Sequence, residues 1–289
     1  MRVGLIGLGA MGGPMAQHLA AAGLLSIVGN RSLQKVTDFV ATHERIHGAS
    51  GPQDFSNCDV VILNVSLDAD VLQNVHALAE VLQPGSIVMD HSTVSVQTAR
   101  DAAACLAGKG IAFVDAPVSG GVEGSRNGKL SVMVGAEADA LERIMPLLNT
   151  YAARVTHMGE VGSGQATKAV NQIMVAGINE AVCEALALAE ALQLDPAKLI
   201  PTLMSGAASN WFLDKRGVTM LNSQFTPGFK NAHMLKDLRI VQGIARGVGV
   251  ATPVVDQAEG DYEALVQRGL GDADTSALVT LKRPGTRPV

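Results

Sequence analysis

The chain has 289 residues, of which 47% are hydrophobic but only 3% aromatic, and its formal net charge is −5. This length suffices for two domains, and a core of Ala, Val, Leu, Ile and Met suits helices packed on a parallel sheet. The acidic balance provides no basic stripe, so we expect no nucleic-acid partner. The three cysteines, Cys58, Cys105 and Cys183, form no CxxC pair, which indicates free thiols in a reducing cytoplasm.

The first part of the chain alternates apolar runs with helix-like stretches of the length that β-α-β units need. The predicted strands of this part cover residues 3–6, 25–28, 60–63, 87–89, 111–114, 130–134 and 154–156. After Gly164 only helical periodicity remains, and the predicted helices cover residues 165–193, 196–204, 209–222, 231–247 and 251–268. We therefore predict an α/β chain with a doubly wound parallel sheet in residues 1–160 and an all-α domain in residues 161–289.

Two further segments bear on solubility and on the end of the chain. The most apolar long segment, residues 173–194, contains Asn179, Glu180, Glu184 and Glu190. These side chains argue against a membrane span, so we expect a soluble, cytoplasmic protein without a membrane partner. The tail, residues 282–289, is rich in Pro and Arg and is expected to fray.

A glycine motif follows the first predicted strand and opens the first predicted helix. It reads Gly7-Leu8-Gly9-Ala10-Met11-Gly12. In this context Gly7 permits the tight turn, Gly9 lets the backbone approach a pyrophosphate, and Gly12 lets helix and strand pack closely. The helix N-terminus then offers N–H groups to phosphates. The motif predicts a dinucleotide site on a Rossmann sheet.

The end of the second predicted strand bears on which dinucleotide binds. An acidic residue there would accept hydrogen bonds from the ribose 2′-hydroxyl of NAD, but the chain has Asn30, Arg31 and Ser32. The guanidinium of Arg31 suits a 2′-phosphate, with Asn30 and Ser32 as supporting donors. These residues favour NADP, and use of NAD remains open.

Four ordered stretches carry a resemblance that covers residues 1 to about 280. They are the glycine motif within GLGAMGGPMA, DAPVSGG at 115–121, GSGQATKAVNQ at 162–172 and MLKDL at 234–238. Together they resemble the β-hydroxyacid dehydrogenase family, which includes 3-hydroxyisobutyrate dehydrogenase, tartronate semialdehyde reductase and, more distantly, 6-phosphogluconate dehydrogenase. The resemblance implies a Rossmann domain and an all-α domain joined by a long helix, an active site in the cleft, and a homodimer or homotetramer.

The resemblance also implies roles for individual residues. Lys168 matches the catalytic lysine, and Asn171 lies beside it. The residues that match substrate contacts are Ser119, Gly120, Gly121, Gln172, Lys236 and Asp237. Besides the glycine motif and residues 30–32, the positions that match cofactor contacts are Val65, Ser66, Thr93 and Lys236. No metal site is implied, and the histidines show no metal-ligand spacing.

The chemistry of these residue types agrees with those roles. A Ser hydroxyl beside two glycine N–H groups can hold a carboxylate. Lys168, Asn171 and Gln172 are spaced i, i+3, i+4, so they project from one helix face. The positive end of that helix, a second cation such as Lys236 and partial burial all disfavour an ammonium group, so we expect a lysine able to exchange a proton near neutral pH.

The predicted reaction is hydride transfer between NADP(H) and a small 3-hydroxy acid or its semialdehyde acid. Decarboxylating relatives carry a glutamate seven residues beyond the lysine, where this chain has Val175, so we expect no decarboxylation. The 2-hydroxy-3-oxopropionate and succinic or glyoxylic semialdehyde reductases are the favoured types. An NAD-dependent 3-hydroxyisobutyrate or serine-type dehydrogenase is the alternative, followed by a non-catalytic binding module. His91, near Thr93, is expected to be structural.

Overall fold

A computed structural model describes residues 1–285 of the chain. It divides into two compact units, Met1–Lys168 and the residues from Ala169 onward. The boundary expected near residue 160 precedes the long helix Ser163–Ala191, and the two compact units divide inside that helix.

The first unit contains a nine-stranded sheet with helices on both sides. Its strands are β1 (Val3–Ile6), β2 (Leu25–Gly29), β3 (His47–Gly48), β4 (Val60–Leu63), β5 (Ile87–Asp90), β6 (Ala112–Asp115), β7 (Val118–Ser119), β8 (Leu130–Gly135) and β9 (Ala152–Gly159). Its helices are α1 (Gly12–Ala21), α2 (Leu33–Ala41), α3 (Asp68–Ala79), α4 (Val96–Ala107), α5 (Gly121–Arg126) and α6 (Ala138–Leu148), with a 3₁₀ turn at Pro52–Phe55.

The strand order is β3-β2-β1-β4-β5-β6-β8-β7, with β9 beside β8. The strands from β3 to β6 run parallel, β8 is antiparallel to β6 and β7, and β9 is parallel to β8. The order from β3 through β1 to β6 is that of a Rossmann sheet. The predicted α/β fold with an N-terminal Rossmann domain and a C-terminal helical domain is confirmed.

The central strands are apolar throughout because both faces of the sheet are covered. In β4, Val60 and Ile62 belong to the core on one face, whereas Val61 and Leu63 belong to the core on the other. All four side chains are fully buried. Since successive side chains alternate between faces, a strand buried on both sides reads as a continuous apolar run. The five predicted parallel strands form within one residue of their expected ends. Strands β3 and β7, of two residues each, and helix α5, of six, were not predicted because such short elements carry no periodicity.

The second unit is helical. Helix α7 (Ser163–Ala191) enters it and is followed by α8 (Pro196–Met204), α9 (Trp211–Leu221), α10 (Asn231–Gly247), α11 (Pro253–Gln267) and α12 (Val279–Lys282), with a 3₁₀ turn at Thr275–Leu278. Its core includes Leu186, Met234, Leu238 and Tyr262. By length and composition alone α7 could cross a membrane, and half of its most apolar window is buried inside the structure.

The expectation that the tail frays is wrong for its first residues, and residues 286–289 lie outside the described part of the chain. The side chain of Lys282 is 4% exposed, and its ammonium group contacts the carboxylates of Glu180 and, at 2.6 Å, Asp261. Arg283 donates two hydrogen bonds of 2.8 Å to Glu190. The charges that suggested a solvated tail therefore anchor it to α7 and α11.

His91 is a buried structural residue of the first unit. Its Nδ1 donates to the Ala116 carbonyl at 2.6 Å, and its Nε2 accepts from the Tyr151 hydroxyl at 2.8 Å. Burial lowers the pKa of His91 to about 4, despite the opposing effect of the bond to Ala116. The ring therefore stays neutral at physiological pH and fixes the chain just before Pro117.

Replacing Lys282 by Met should destabilise the protein by about 3–5 kcal/mol, because Glu180 and Asp261 would lose their buried cation. Urea unfolding measures this change. The control is Lys198→Met, since Lys198 is 86% exposed in its pair with Asp195 and should contribute less than about 1 kcal/mol. Equal, small changes in both variants would show that the Lys282 cluster does not stabilise the fold.

Protonation of His91 should destabilise the fold in acid. The unfolded histidine has a pKa of 6.5 and the folded one about 4, so this contribution is complete above pH 6.5 and is lost as pH falls towards 4. The loss amounts to about 3 kcal/mol. Unfolding free energies at pH 7, 5.5 and 4.5 measure it, and His91→Phe should show a shallower decline. Parallel declines in the two proteins would contradict this account.

Candidate active site

The glycine motif forms a tight turn between β1 and α1. Gly7 has a φ of +113°, and a Cβ there would overlap the carbonyl of Asn64. A Cβ on Gly12 would overlap the carbonyl of Gly7. At Gly9, by contrast, nothing lies within 4 Å of the position that a Cβ would take. The turn is therefore closed where strand and helix meet and open where a pyrophosphate would approach, so it fits a bound dinucleotide.

Residues 30–32 follow β2, and Asn30 has a different role from Arg31 and Ser32. The Oδ1 of Asn30 accepts from the Leu8 N–H at 2.9 Å, and its Nδ2 donates to the Ser32 carbonyl at 3.1 Å. Asn30 therefore braces the glycine turn, and the Leu8 N–H is already bonded. Arg31 and Ser32 are exposed, and Ser32 begins α2 without a side-chain capping bond. These two side chains can meet a ribose phosphate beside the N-terminus of α2.

The loops after β4 and β5 are joined to each other. The Val65 N–H donates to Ser92 Oγ at 2.9 Å. A contact between Val65 and the cofactor would therefore have to involve other atoms of Val65. The Ser95 N–H and the Thr98 hydroxyl donate to Asp68 Oδ1 at 2.9 and 2.7 Å. Ser66 is exposed and Thr93 partly buried. Since β1, β2, β4 and β5 are parallel neighbours, all predicted cofactor residues of this unit follow the carboxyl ends of adjacent strands.

The predicted carboxylate loop follows β6, the next strand in the sheet. Ser119 ends β7, which pairs with β8 through Ser119 and Ser131. Gly120 and Gly121 have φ values of +126° and +61°, a conformation that side chains disfavour. The loop therefore presents a serine hydroxyl beside two backbone groups that carry no side chains.

Asp115, at the end of β6, fixes the start of α7. Its Oδ1 accepts from the Gly162 N–H at 2.7 Å and its Oδ2 from the Gln165 N–H at 2.8 Å. The carboxyl is fully buried, and burial raises its pKa, although these N–H bonds favour the ionised form. A Cβ on Gly164 would lie 2.8 Å from Asp115 Oδ2, so only glycine lets the helix approach this closely.

Lys168 lies in the first turns of this anchored helix and is 8% exposed. Three residues earlier, the side chain of Gln165 is bonded to Ser92 and Val94. The helix that carries Lys168 is thus held by the loop after β5 and by the end of β6.

The predicted site residues of the second unit form one hydrogen-bonded chain. Asn171 Nδ2 donates to Gln172 Oε1 at 2.8 Å, and Gln172 Nε2 donates to Asp237 Oδ2 at 2.7 Å. The ammonium of Lys236 lies 3.0 Å from Asp237 Oδ1. Gln172 and Asp237 are each 2% exposed. These two buried side chains orient Asn171 and Lys236, to which they are bonded.

Sequence reasoning missed Asp115, Gln165 and Ser92 as site residues. Asp115 and Gln165 belong to the motifs at 115–121 and 162–172, but no role was predicted for either residue. A signal was present for two of the three, because each is a polar residue in an apolar context: Asp115 ends a buried strand, and Gln165 precedes the apolar part of α7. Within residues 1–285 no group of three or more His, Cys, Asp or Glu side chains could hold a metal ion.

Comparison with known proteins assigns both parts of the chain. Residues 2–159 match the family described as the NAD binding domain of 6-phosphogluconate dehydrogenase. Residues 162–282 match the family described as NAD-binding of NADP-dependent 3-hydroxyisobutyrate dehydrogenase. The 2-hydroxy-3-oxopropionate reductase of Escherichia coli K12 is 33% identical over 282 residues, which cover 96% of this chain and 96% of that protein.

Solved structures agree with this assignment. Mycobacterium tuberculosis 3-hydroxyisobutyrate dehydrogenase with L-serine has a TM-score of 0.85 at 29% identity, over 96% of this chain and 97% of that one. Psf3 in complex with NADP+ and 2-OPP has a TM-score of 0.86 at 25% identity, over 96% and 99% of the two chains. The chain is an oxidoreductase with NAD(P)-binding domains, and it belongs to the β-hydroxyacid dehydrogenase family, which includes 3-hydroxyisobutyrate dehydrogenase.

Proposed function

We propose that the protein is an NADP(H)-preferring reductase that interconverts a small semialdehyde acid and its 3-hydroxy acid without decarboxylation. The observation that carries this proposal is the buried Lys168 in the anchored first turns of α7. A buried ammonium group is costly to maintain unless its charge or its proton is used. Its place in a chain of this family supports an acid–base function.

Each residue contributes a separate step. NADPH, when bound, supplies the hydride that reduces the aldehyde carbon. Lys168 Nζ gives its proton to the aldehyde oxygen during reduction and takes a proton from the hydroxyl during oxidation. Ser119 and the N–H groups of Gly120 and Gly121 hold the substrate carboxylate. Asn171, oriented through Gln172 and Asp237, supports the reacting oxygen. Lys236 is the further residue proposed to contact the substrate and the cofactor.

The proposed absence of decarboxylation rests on Val175. An aliphatic side chain cannot protonate an enediol, so the acid that this step needs in decarboxylating relatives is missing at this position. The reaction would therefore stop at the semialdehyde or the hydroxy acid, and assays should detect no carbon dioxide.

The choice of NADP rests on Arg31 and Ser32. Both are exposed after β2, and neither is acidic. Asn30 supports this site indirectly, because its side chain bonds to the backbone of Leu8 and Ser32. The relative Psf3 was solved with NADP+, which is consistent with the same preference. In this proposal NAD is a second, poorer cofactor.

The substrate proposal is the reduction of 2-hydroxy-3-oxopropionate, succinic semialdehyde or glyoxylate, the last two being substrates of the succinic or glyoxylic semialdehyde reductase type. The name of the Escherichia coli relative favours it. The L-serine in the Mycobacterium tuberculosis structure supports the alternative, an NAD-dependent 3-hydroxyisobutyrate or serine-type dehydrogenase. A spectrophotometric screen of these acids with NADPH and NADH distinguishes the two. Absence of turnover with every compound would favour a non-catalytic binding module.

Two further properties stay predictions. We propose a homodimer or homotetramer, which light scattering during size-exclusion chromatography would test. We also propose a cytoplasmic location, which the three free cysteines favour.

Replacing Lys168 by Ala should lower kcat by about 10²–10⁴-fold, the usual contribution of general acid–base catalysis. Affinity for NADPH, measured by fluorescence titration, should stay close to that of the wild type. Lys109→Ala is the control, because Lys109 lies on the surface in an exposed pair with Glu80. A Lys168→Ala enzyme that kept more than about a tenth of wild-type kcat would refute the proposed role.

Replacing Arg31 by Ala should lower the ratio of kcat/KM for NADPH to that for NADH by about 10- to 100-fold. This range corresponds to the loss of a charge-assisted hydrogen bond worth about 1.5–3 kcal/mol. Arg143→Ala, at an exposed position of α6, is the control and should keep the wild-type ratio. If Arg31→Ala also kept it, Arg31 would have no part in cofactor choice.

A further inference from the structure

The side chain of Gln165 connects the first turn of α7 to the loop after β5. Its Oε1 accepts from the Val94 N–H at 3.1 Å, and its Nε2 donates to the Ser92 carbonyl at 2.8 Å. Its own N–H donates to Asp115 at 2.8 Å. Gln165 is 1% exposed, so water cannot readily replace these bonds.

The loop held by Gln165 is in turn bonded to the neighbouring cofactor loop. Ser92 Oγ accepts from the Val65 N–H at 2.9 Å, and the Ser92 N–H donates to Asp90 Oδ1 at 2.9 Å. Thr93 lies between the two backbone groups that Gln165 binds. A buried hydrogen-bond network thus joins the loop after β4, the loop after β5 and the start of α7.

We propose that Gln165 is a positioning residue, which sets Lys168 at its working distance from the loops that hold the nicotinamide end of the cofactor. This inference rests on the proposed function, in which Lys168 is the proton donor. Lys168 lies three residues beyond Gln165, and therefore about one helical turn away on the same side of α7. A proton donor must come within about 2.6–3.2 Å of its acceptor, and a displacement of about 1 Å can lower a rate by about 10²-fold.

The carboxamide of Gln165 is required because it offers one acceptor and one donor to two adjacent backbone groups. Leucine has a similar size and offers neither. Glutamate keeps the acceptor for the Val94 N–H but, when ionised, places a second acceptor against the Ser92 carbonyl. Protonation of that carboxyl restores a donor, so Gln165→Glu should recover its function as pH falls.

Several ionisable groups surround this position. Asp115 bonds to the backbone of residue 165, and Asp90 bonds to Ser92. Both carboxylates and the burial of the site favour the protonated form of an introduced glutamate, whereas the Lys168 ammonium opposes it. The two carboxylates and the burial therefore favour recovery of activity as pH falls.

The kinetic test uses Gln165→Leu, Gln165→Glu and a control on the same helix, Asn179→Leu. Asn179 is also buried, and its side chain donates one hydrogen bond to Tyr262 at 3.0 Å. Gln165→Leu should lower kcat by about 10- to 100-fold, with less than a threefold change in the Kd of NADPH. Asn179→Leu should lower Tm but leave kcat within about threefold of the wild type. Gln165→Glu should gain activity relative to the wild type as pH falls from 8 to 6.

A second readout does not depend on turnover. In the protein without cofactor, loss of the Gln165 side chain should accelerate hydrogen exchange of the Val94 amide. It should also shift the NMR signal of Lys168 after ¹³C-methylation of the lysine side chains. This signal is assigned as the one that is missing in Lys168→Arg. If the wild type reduced no semialdehyde while these changes occurred, the proposed function would fail and the positioning by Gln165 would stand.

The proposal is overturned by any of three results in an active enzyme. The first is a Gln165→Leu kcat within threefold of the wild type. The second is a loss of kcat/KM that lies wholly in the Kd of NADPH. The third is a Gln165→Glu pH profile parallel to that of the wild type, which would leave Gln165 as a residue of stability alone.

Discussion

The two hydrogen bonds that Asp115 accepts from Gly162 and Gln165 determine where α7 begins. A helix N-terminus has unsatisfied N–H groups, and a buried carboxylate both pairs with them and complements the helix dipole. Because Asp115 ends β6, this contact fixes the helix to the sheet that carries the glycine turn. The position of Lys168 within the first unit depends on it. The same contact requires glycine at position 164, because the Cβ of any larger residue would be too close to the Asp115 carboxylate.

Local patterns were sufficient to predict the fold and the cofactor turn. The strands were readable because both faces of the sheet are buried, and the glycine motif because Gly7 and Gly12 have no room for a side chain. The site network was not readable, since its partners lie far apart in the chain. Gly162 is 47 residues from Asp115, and Gln165 is 73 residues from Ser92. Helical periodicity was evident after Gly164, but the packing of Gly162 and Gly164 against Asp115 could not be inferred from periodicity.

Charge placement was the other feature that the sequence left hidden. The Pro- and Arg-rich tail suggested a solvated end, yet Lys282 and Arg283 find carboxylates on α7 and α11. Gln172 and Asp237 are predicted to contact the substrate, and the structure adds that their side chains bond to each other. In both cases composition indicated the polar residues, but only the tertiary fold determined whether a charge meets water, a ligand or another side chain.

Chemical rescue of the Lys168→Ala enzyme by added primary amines tests the central claim most directly. If Lys168 is the proton donor, small alkylammonium ions should restore turnover, and the restored rate should depend on the pKa of the added amine in a Brønsted relation. The hydride supply and the substrate contacts would be unchanged in this experiment, so only the missing acid is replaced. Failure of every amine to restore turnover, in a folded variant that binds NADPH as the wild type does, would contradict the account.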